Sequence, residues 1–198
     1  MKKIYLIIAG ALVAAAGIFW TLKSCGHPQT SDISTRIHLL KEETVPLRFK
    51  LYTNTGKELM LAGKLFDLDG NMVGRFETPF INSNGPISVH LTDVDISGRH
   101  ITFPNSISFG DSAGEIDLMQ YYSNNGFPDV YNSSIIDSVL KMEIGRIFGL
   151  ISDGKDQKVE SRYGKVNYLS SDIEHPREGV NYEFHVSSNG KIYYLKAN

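Results

Sequence analysis

From Val45 onward, apolar and polar positions repeat mostly at period two. Leu47, Phe49 and Leu51 alternate with Arg48 and Lys50, the pattern of a strand with one buried face. Residues 59–68 and 71–77 flank Asp69-Gly70. Asp-Gly accepts the positive φ angles of a type I′ turn, so this stretch is predicted as a hairpin. Further strands are expected at 87–91, 100–103 and 107–109, with turns at Gly85-Pro86 and Ser97-Gly98. Residues 116–122 fit neither period cleanly. Two more strand pairs close the chain: 159–163 with 165–169, and 180–186 with 191–195 across Asn189-Gly190.

One segment departs from this period. Ile135, Ile136, Val139, Leu140, Ile144, Ile147 and Phe148 form a wide apolar stripe at helical spacing, with Ser133 or Ser134 as its cap and Gly149 as its end. Strands linked by hairpins, one long helix and no β-α alternation predict an α+β fold of mainly antiparallel β, a sheet or sandwich with one long packed helix. An N-terminal transmembrane helix is expected to precede it. The expected division is 1–24 as membrane anchor or signal, 25–44 as stalk, and 45–198 as a β-rich globular domain. Within the stalk, Ser31-Asp32 caps a short helix that places Ile33, Ile37 and Leu40 on one face.

The leader carries most of the localisation argument. Ile4 to Leu22 is a run of nineteen residues without a charge, bounded by Lys2-Lys3 and Lys23. As a helix rising ~1.5 Å per residue it matches the ~30 Å hydrocarbon core. Lys2, Lys3 and the free amine outweigh Lys23, so the positive-inside rule puts the N-terminus in the cytoplasm and the domain outside, on a periplasmic side. Gly10, Ala14 and Gly17 share one helix face, which suits a homodimer or another membrane helix. Ala14-Ala15-Ala16 also offers a small-x-small cleavage site. Leu22-Lys23-Ser24-Cys25 resembles the lipobox of bacterial lipoproteins, which implies acylation of Cys25, with Lys23 as a departure from the pattern. Anchor, cleaved signal and lipoprotein all export the domain.

Composition narrows the classes further. With 41% hydrophobic and 21% charged residues the chain is neither a disordered tail nor a polytopic membrane protein. Three of the 20 basic residues lie in the leader and none of the 22 acidic ones does, so the exported part is net negative. Its linear sequence holds no Lys/Arg cluster able to neutralise a row of phosphates, so nucleic acid is not expected as a partner. Cys25 is the only cysteine, which rules out an internal disulfide and a Cys-rich zinc site.

Gly110-Asp111-Ser112-Ala113-Gly114 fits G-x-S-x-G and resembles the nucleophile elbow of hormone-sensitive-lipase-type esterases in the α/β-hydrolase family. The resemblance implies Ser112 as nucleophile, with Asp129, Asp137 or Asp153 and then His175 or His185 completing a triad. It covers five residues; the oxyanion segment is missing upstream, and Glu115-Ile116-Asp117-Leu118 alternates like a strand where that family has a helix. A turn between two strands is the reading these residues favour. Asp67-Leu68-Asp69-Gly70-Asn71 lacks the Gly and Glu spacing of a calcium loop. His90, Asp93 and Asp95 are the nearest approach to a metal cluster, and no metal or cofactor is expected. Tyr121, Tyr122, Phe127 and Tyr131 crowd a loop rich in Asn, Gly and Pro, the expected partner-binding surface. These readings point to a membrane-tethered, non-enzymatic accessory or binding protein of the cell envelope, engaging the membrane through residues 4–22 and an envelope protein or glycan through its domain. A small serine hydrolase using Ser112 and a lipoprotein acylated at Cys25 are the alternatives.

Overall fold

The first long strand shows how the alternating pattern is used. In β1 (Glu43–Asn54) Leu47, Phe49 and Leu51 are buried, whereas Arg48 and Lys50 point away from the core. The computed structural model describes residues 31–54, 58–79, 86–110 and 114–197. The leader, including Gly10, Ala14, Gly17 and Cys25, lies outside the described residues, as does Ser112. One globular unit begins at Ile33.

A short helix, α1 (Ser31–Arg36), passes into a 3-10 turn at Ile37–Leu39. Ile33, Ile37 and Leu40 are buried on one face, as their spacing predicts. This end of the expected stalk is therefore part of the core. After β1 come β2 (Glu58–Phe66), β3 (Met72–Pro79), β4 (Ile87–Ile96), β5 (Arg99–Phe109) and β6 (Glu115–Asp117). A one-turn helix, α2 (Met119–Tyr122), leads to the two-residue strands β7 (Ser123–Asn124) and β8 (Phe127–Pro128). The chain finishes with α3 (Ser138–Ser152), α4 (Asp156–Arg162), β9 (Lys165–Ile173), β10 (Asn181–Ser187) and β11 (Ile192–Ala197).

The strands form a five-stranded sheet in the order β11-β10-β1-β2-β3 and a four-stranded sheet in the order β6-β5-β4-β9, with β7-β8 as a small ribbon. Every ladder between these strands is antiparallel. The fold is thus α+β and dominated by antiparallel sheets, as the strand pattern predicts. Both sheets, α1 and α3 contribute to a single hydrophobic core. α3 packs Leu140, Ile144, Ile147, Phe148 and Ile151 inward. Its Phe148 ring lies 5.5 Å from that of Phe103 on β5 and 5.7 Å from that of Tyr122.

Three local expectations are corrected. Residues 67–71 close a three-residue loop rather than a two-residue type I′ turn, with Asp67 N–H bonded to Asn71 O at 2.9 Å and Gly70 N–H to Asp67 O at 3.1 Å. Only Gly70 in this loop takes positive φ (84°), the Gly position of a type I turn followed by a left-handed residue. The type I′ turn occurs instead at Ser97-Gly98, where both φ angles are positive and Ile96 pairs with Arg99. The long helix starts at Ser138, capped by the Asp137 carboxylate on Leu140 N–H at 2.9 Å, because Ser133 is engaged with Asp69. It also continues through Gly149 to Ser152. Finally, 159–163 is mostly helix α4 rather than a strand. Val159 and Tyr163 lie four apart, so five residues satisfied both periods, and packing of Val159 into the core decided between them.

Edge protection explains the aromatic loop. β6 covers only Ser106–Ser108 of β5, leaving the stretch before it without a strand on that side. Tyr131 supplies what is missing: its hydroxyl accepts from Thr102 N–H at 2.7 Å and donates to Thr102 O at 3.0 Å. Tyr122 donates to Pro104 O at 2.8 Å, and Leu118 N–H to Asn105 O at 2.7 Å. Buried peptide groups need such partners.

Candidate functional site

The expected site residues separate in the fold. Of the aromatic loop, Tyr122 and Tyr131 are core residues, with exposures of 1% and 7%, and their hydroxyls are spent on β5. Burial raises the ionisation of both phenols well above the ordinary tyrosine range. Phe127 is half-buried and Tyr121 is at the surface, its ring 5.6 Å from that of Phe76. The five residues from Gly110 to Gly114 connect two antiparallel strands, β5 and β6, so the segment is strand–loop–strand. The acids and histidines offered to Ser112 are engaged elsewhere. Asp137 caps α3 and pairs with Arg36, Asp153 pairs with Lys155 at 2.5 Å, and His185 bonds Glu43 at 2.7 Å. His175 is exposed.

The residues of the expected metal cluster do not converge either. His90 Nε2 lies 2.8 Å from Ser108 Oγ. The buried carboxylate of Asp93 is held by Thr102 Oγ1 (2.9 Å), His100 Nδ1 (2.8 Å) and Asn167 Nδ2 (3.3 Å). Asp95 instead accepts Gly98 N–H in the β4–β5 turn. Among the described residues no group of three metal-ligating side chains assembles. The His90–Ser108 pair joins a base to a hydroxyl, yet no described carboxylate bonds the other face of that imidazole, which is the role a third triad member fills.

The most developed surface feature is one the linear sequence conceals. Outward positions of β1, β2, β3 and β10 line a basin of about 560 Å³ on the solvent side of the five-stranded sheet. Its shape follows from pleat and register. Lys50 pairs with Ala62 and with Asn181, and Ala62 pairs with Glu77, so the small Ala62 forms a floor between longer neighbours. One step along the strands, Glu183 pairs with Arg48, Arg48 with Lys64, and Lys64 with Arg75. Three cations therefore stand side by side on adjacent strands, spaced ~4.8 Å apart at the backbone.

Only the first is neutralised. Arg48 Nε meets Glu183 Oε1 at 3.0 Å, and its guanidinium lies 4.6 Å over the Phe66 ring. Lys64 and Arg75 make no ion pair within the described residues. Lys50 lies over the Tyr52 ring at 5.9 Å, and the Tyr52 hydroxyl donates to Glu77. That carboxylate holds the phenol above its ordinary range. Like charges directly opposite each other on a sheet destabilise it. Four cations gathered against two carboxylates, on a chain of formal net charge −2, form a surface suited to an anionic ligand.

Arg48, Lys64 and Arg75 escape linear reading because 27 positions separate the first from the last. A signal for them existed. Pairing outward from a two-residue loop at Asp69-Gly70 sets Lys64 opposite Arg75. The real loop is one residue longer, and the register shift beside Val73 restores that pairing. Neither a known protein family, nor a curated protein, nor a solved structure matches the chain.

Proposed function

We propose that this chain is a non-enzymatic binding protein of the cell envelope, held at a membrane by its N-terminal segment with the domain on the periplasmic side. It captures an anionic ligand on the outer face of the five-stranded sheet. The observation that carries the binding half of this reading is the row Arg48–Lys64–Arg75, of which only Arg48 has an ion-pair partner among the described residues. A fold gains nothing from three adjacent cations, whereas an anion seated on them gains charge-assisted hydrogen bonds, bidentate ones at the arginines. The uncharged run from Ile4 to Leu22 behind Lys2-Lys3 supports the tether and its orientation.

Chromatography on a carboxylated matrix tests this reading with the full-length chain in detergent. Lys64→Gln with Arg75→Gln should elute at markedly lower salt than the wild type. Lys158→Gln with Lys165→Gln, which changes net charge equally, should elute much closer to it. Equal shifts for the two double variants would reduce the interaction to net charge and remove the basin as a site.

A further inference from the structure

Resting on that reading, we infer that the ligand is an acidic glycan, a chain of sugars bearing carboxylate groups, lying across β1, β2 and β3 along the cation row. Three features of the basin favour this chemistry over a bare phosphate chain or a single small anion.

The first is extent. Arg48, Lys64 and Arg75 lie on successive strands, so their anchors span roughly 10 Å. That suits an extended chain with an acid on successive hexose units better than one compact anion. The second is mixed polarity. Glu77 on β3 and Glu183 on β10 line the same basin as the cations, together with Asn181. These acceptors repel a polymer that is anionic throughout. Sugar hydroxyls donate to them while the carboxylates meet Lys64 and Arg75, so both kinds of lining group are satisfied by one ligand. The third is the floor. Ala62 and Ala197 are small, and the aliphatic stems of the flanking lysines border them. A pyranose ring can rest its C–H face there without meeting a bulky side chain.

Calorimetric titration of the full-length chain in detergent with three probes tests the proposal: tetragalacturonate, cellotetraose and inorganic tripolyphosphate. Tetragalacturonate should bind with an affinity that falls as salt rises, and cellotetraose should bind far more weakly or not at all. Lys64→Gln with Arg75→Gln should weaken tetragalacturonate about ten- to a hundredfold, the loss of two charge-assisted hydrogen bonds. Lys158→Gln with Lys165→Gln should leave it within about twofold of wild type, an order of charge effect expected from distant exposed groups. A cooperative thermal transition for each variant shows that the comparison is made on folded protein. If tripolyphosphate binds at the basin and tetragalacturonate does not, the anion site stands and the glycan assignment falls. If neither anion binds, both readings fall. If cellotetraose binds as well as tetragalacturonate, the charge argument is overturned.

Discussion

Replacing Lys64 with glutamine should make the folded protein more stable while weakening its proposed interaction. Lys64 stands on β2 directly between Arg48 on β1 and Arg75 on β3, so it faces like charge on both sides. With charged groups roughly 6 Å apart in water, each pair repels by about 0.7 kcal/mol. A Debye length of ~8 Å at physiological ionic strength reduces this to about 0.3 kcal/mol per pair. Two neighbours then give about 0.7 kcal/mol, and at 0.01 M salt, where screening is weak, about 1.1 kcal/mol. For a unit of this size, the physiological figure corresponds to a rise of about 2 °C in Tm. Urea unfolding in detergent, followed by near-ultraviolet circular dichroism of the tyrosines, reads the difference at both salt concentrations. Stabilisation that shrinks as salt rises is the expected result. A Lys64→Gln protein that is less stable than wild type, or whose change does not respond to salt, would show that the lysine serves the fold, and the argument for a ligand-directed row would fail.

Tyr131→Phe leaves the buried Thr102 N–H and C=O without their hydroxyl partner and should cost about 2–3 kcal/mol, against about 1 kcal/mol for Tyr122→Phe, which strands a single carbonyl; equal costs in urea unfolding would contradict the edge-capping role. Gly63→Ala should destabilise by about 1–3 kcal/mol, because a Cβ there would stand 2.0 Å from Phe76 Cζ and that buried ring has to move; an unchanged Tm would show that the ring is free to shift. Asp137 is held below the ordinary carboxylate range by Leu140 N–H and then Arg36, and Asp69 by the Ser133 hydroxyl and then Ser134 N–H. Their folded-state values are depressed, so their stabilisation is complete above the unfolded carboxylate pKa of about 4 and is lost as pH falls through the folded values. Asp137→Asn keeps an N-cap acceptor but no longer titrates, so it should flatten this acid limb of a Tm-against-pH curve; a limb identical to wild type would place the acid sensitivity elsewhere.

Particular residues show what the chain discloses in linear form. Leu47, Phe49 and Leu51, the Asn189-Gly190 turn and the α3 stripe are local patterns whose physics is complete within a dozen residues, and each occurs as expected. The helix cap depended on a distant partner: Ser133 hydrogen-bonds Asp69, 64 positions away, so Asp137 took the capping role. Val159–Tyr163 was ambiguous because the two periods coincide over five residues. The aromatic loop was legible as composition, but only tertiary structure assigns Tyr122 and Tyr131 to the open side of β5. The basin depends on the registers of three strand pairs at once. Its charges are ordinary outward-facing residues in each strand taken alone, and they become a row only when β1, β2 and β3 are aligned.

Lysine footprinting of the full-length chain with tetragalacturonate bound tests the account most directly. Limited acetylation followed by mass spectrometry reads each lysine separately. The account predicts that Lys50 and Lys64, which line the basin, are protected, whereas Lys155, Lys158 and Lys165 react at the same rate with and without the sugar. Protection centred on that second set, or spread evenly over all five, would place the ligand away from the sheet and contradict the central claim.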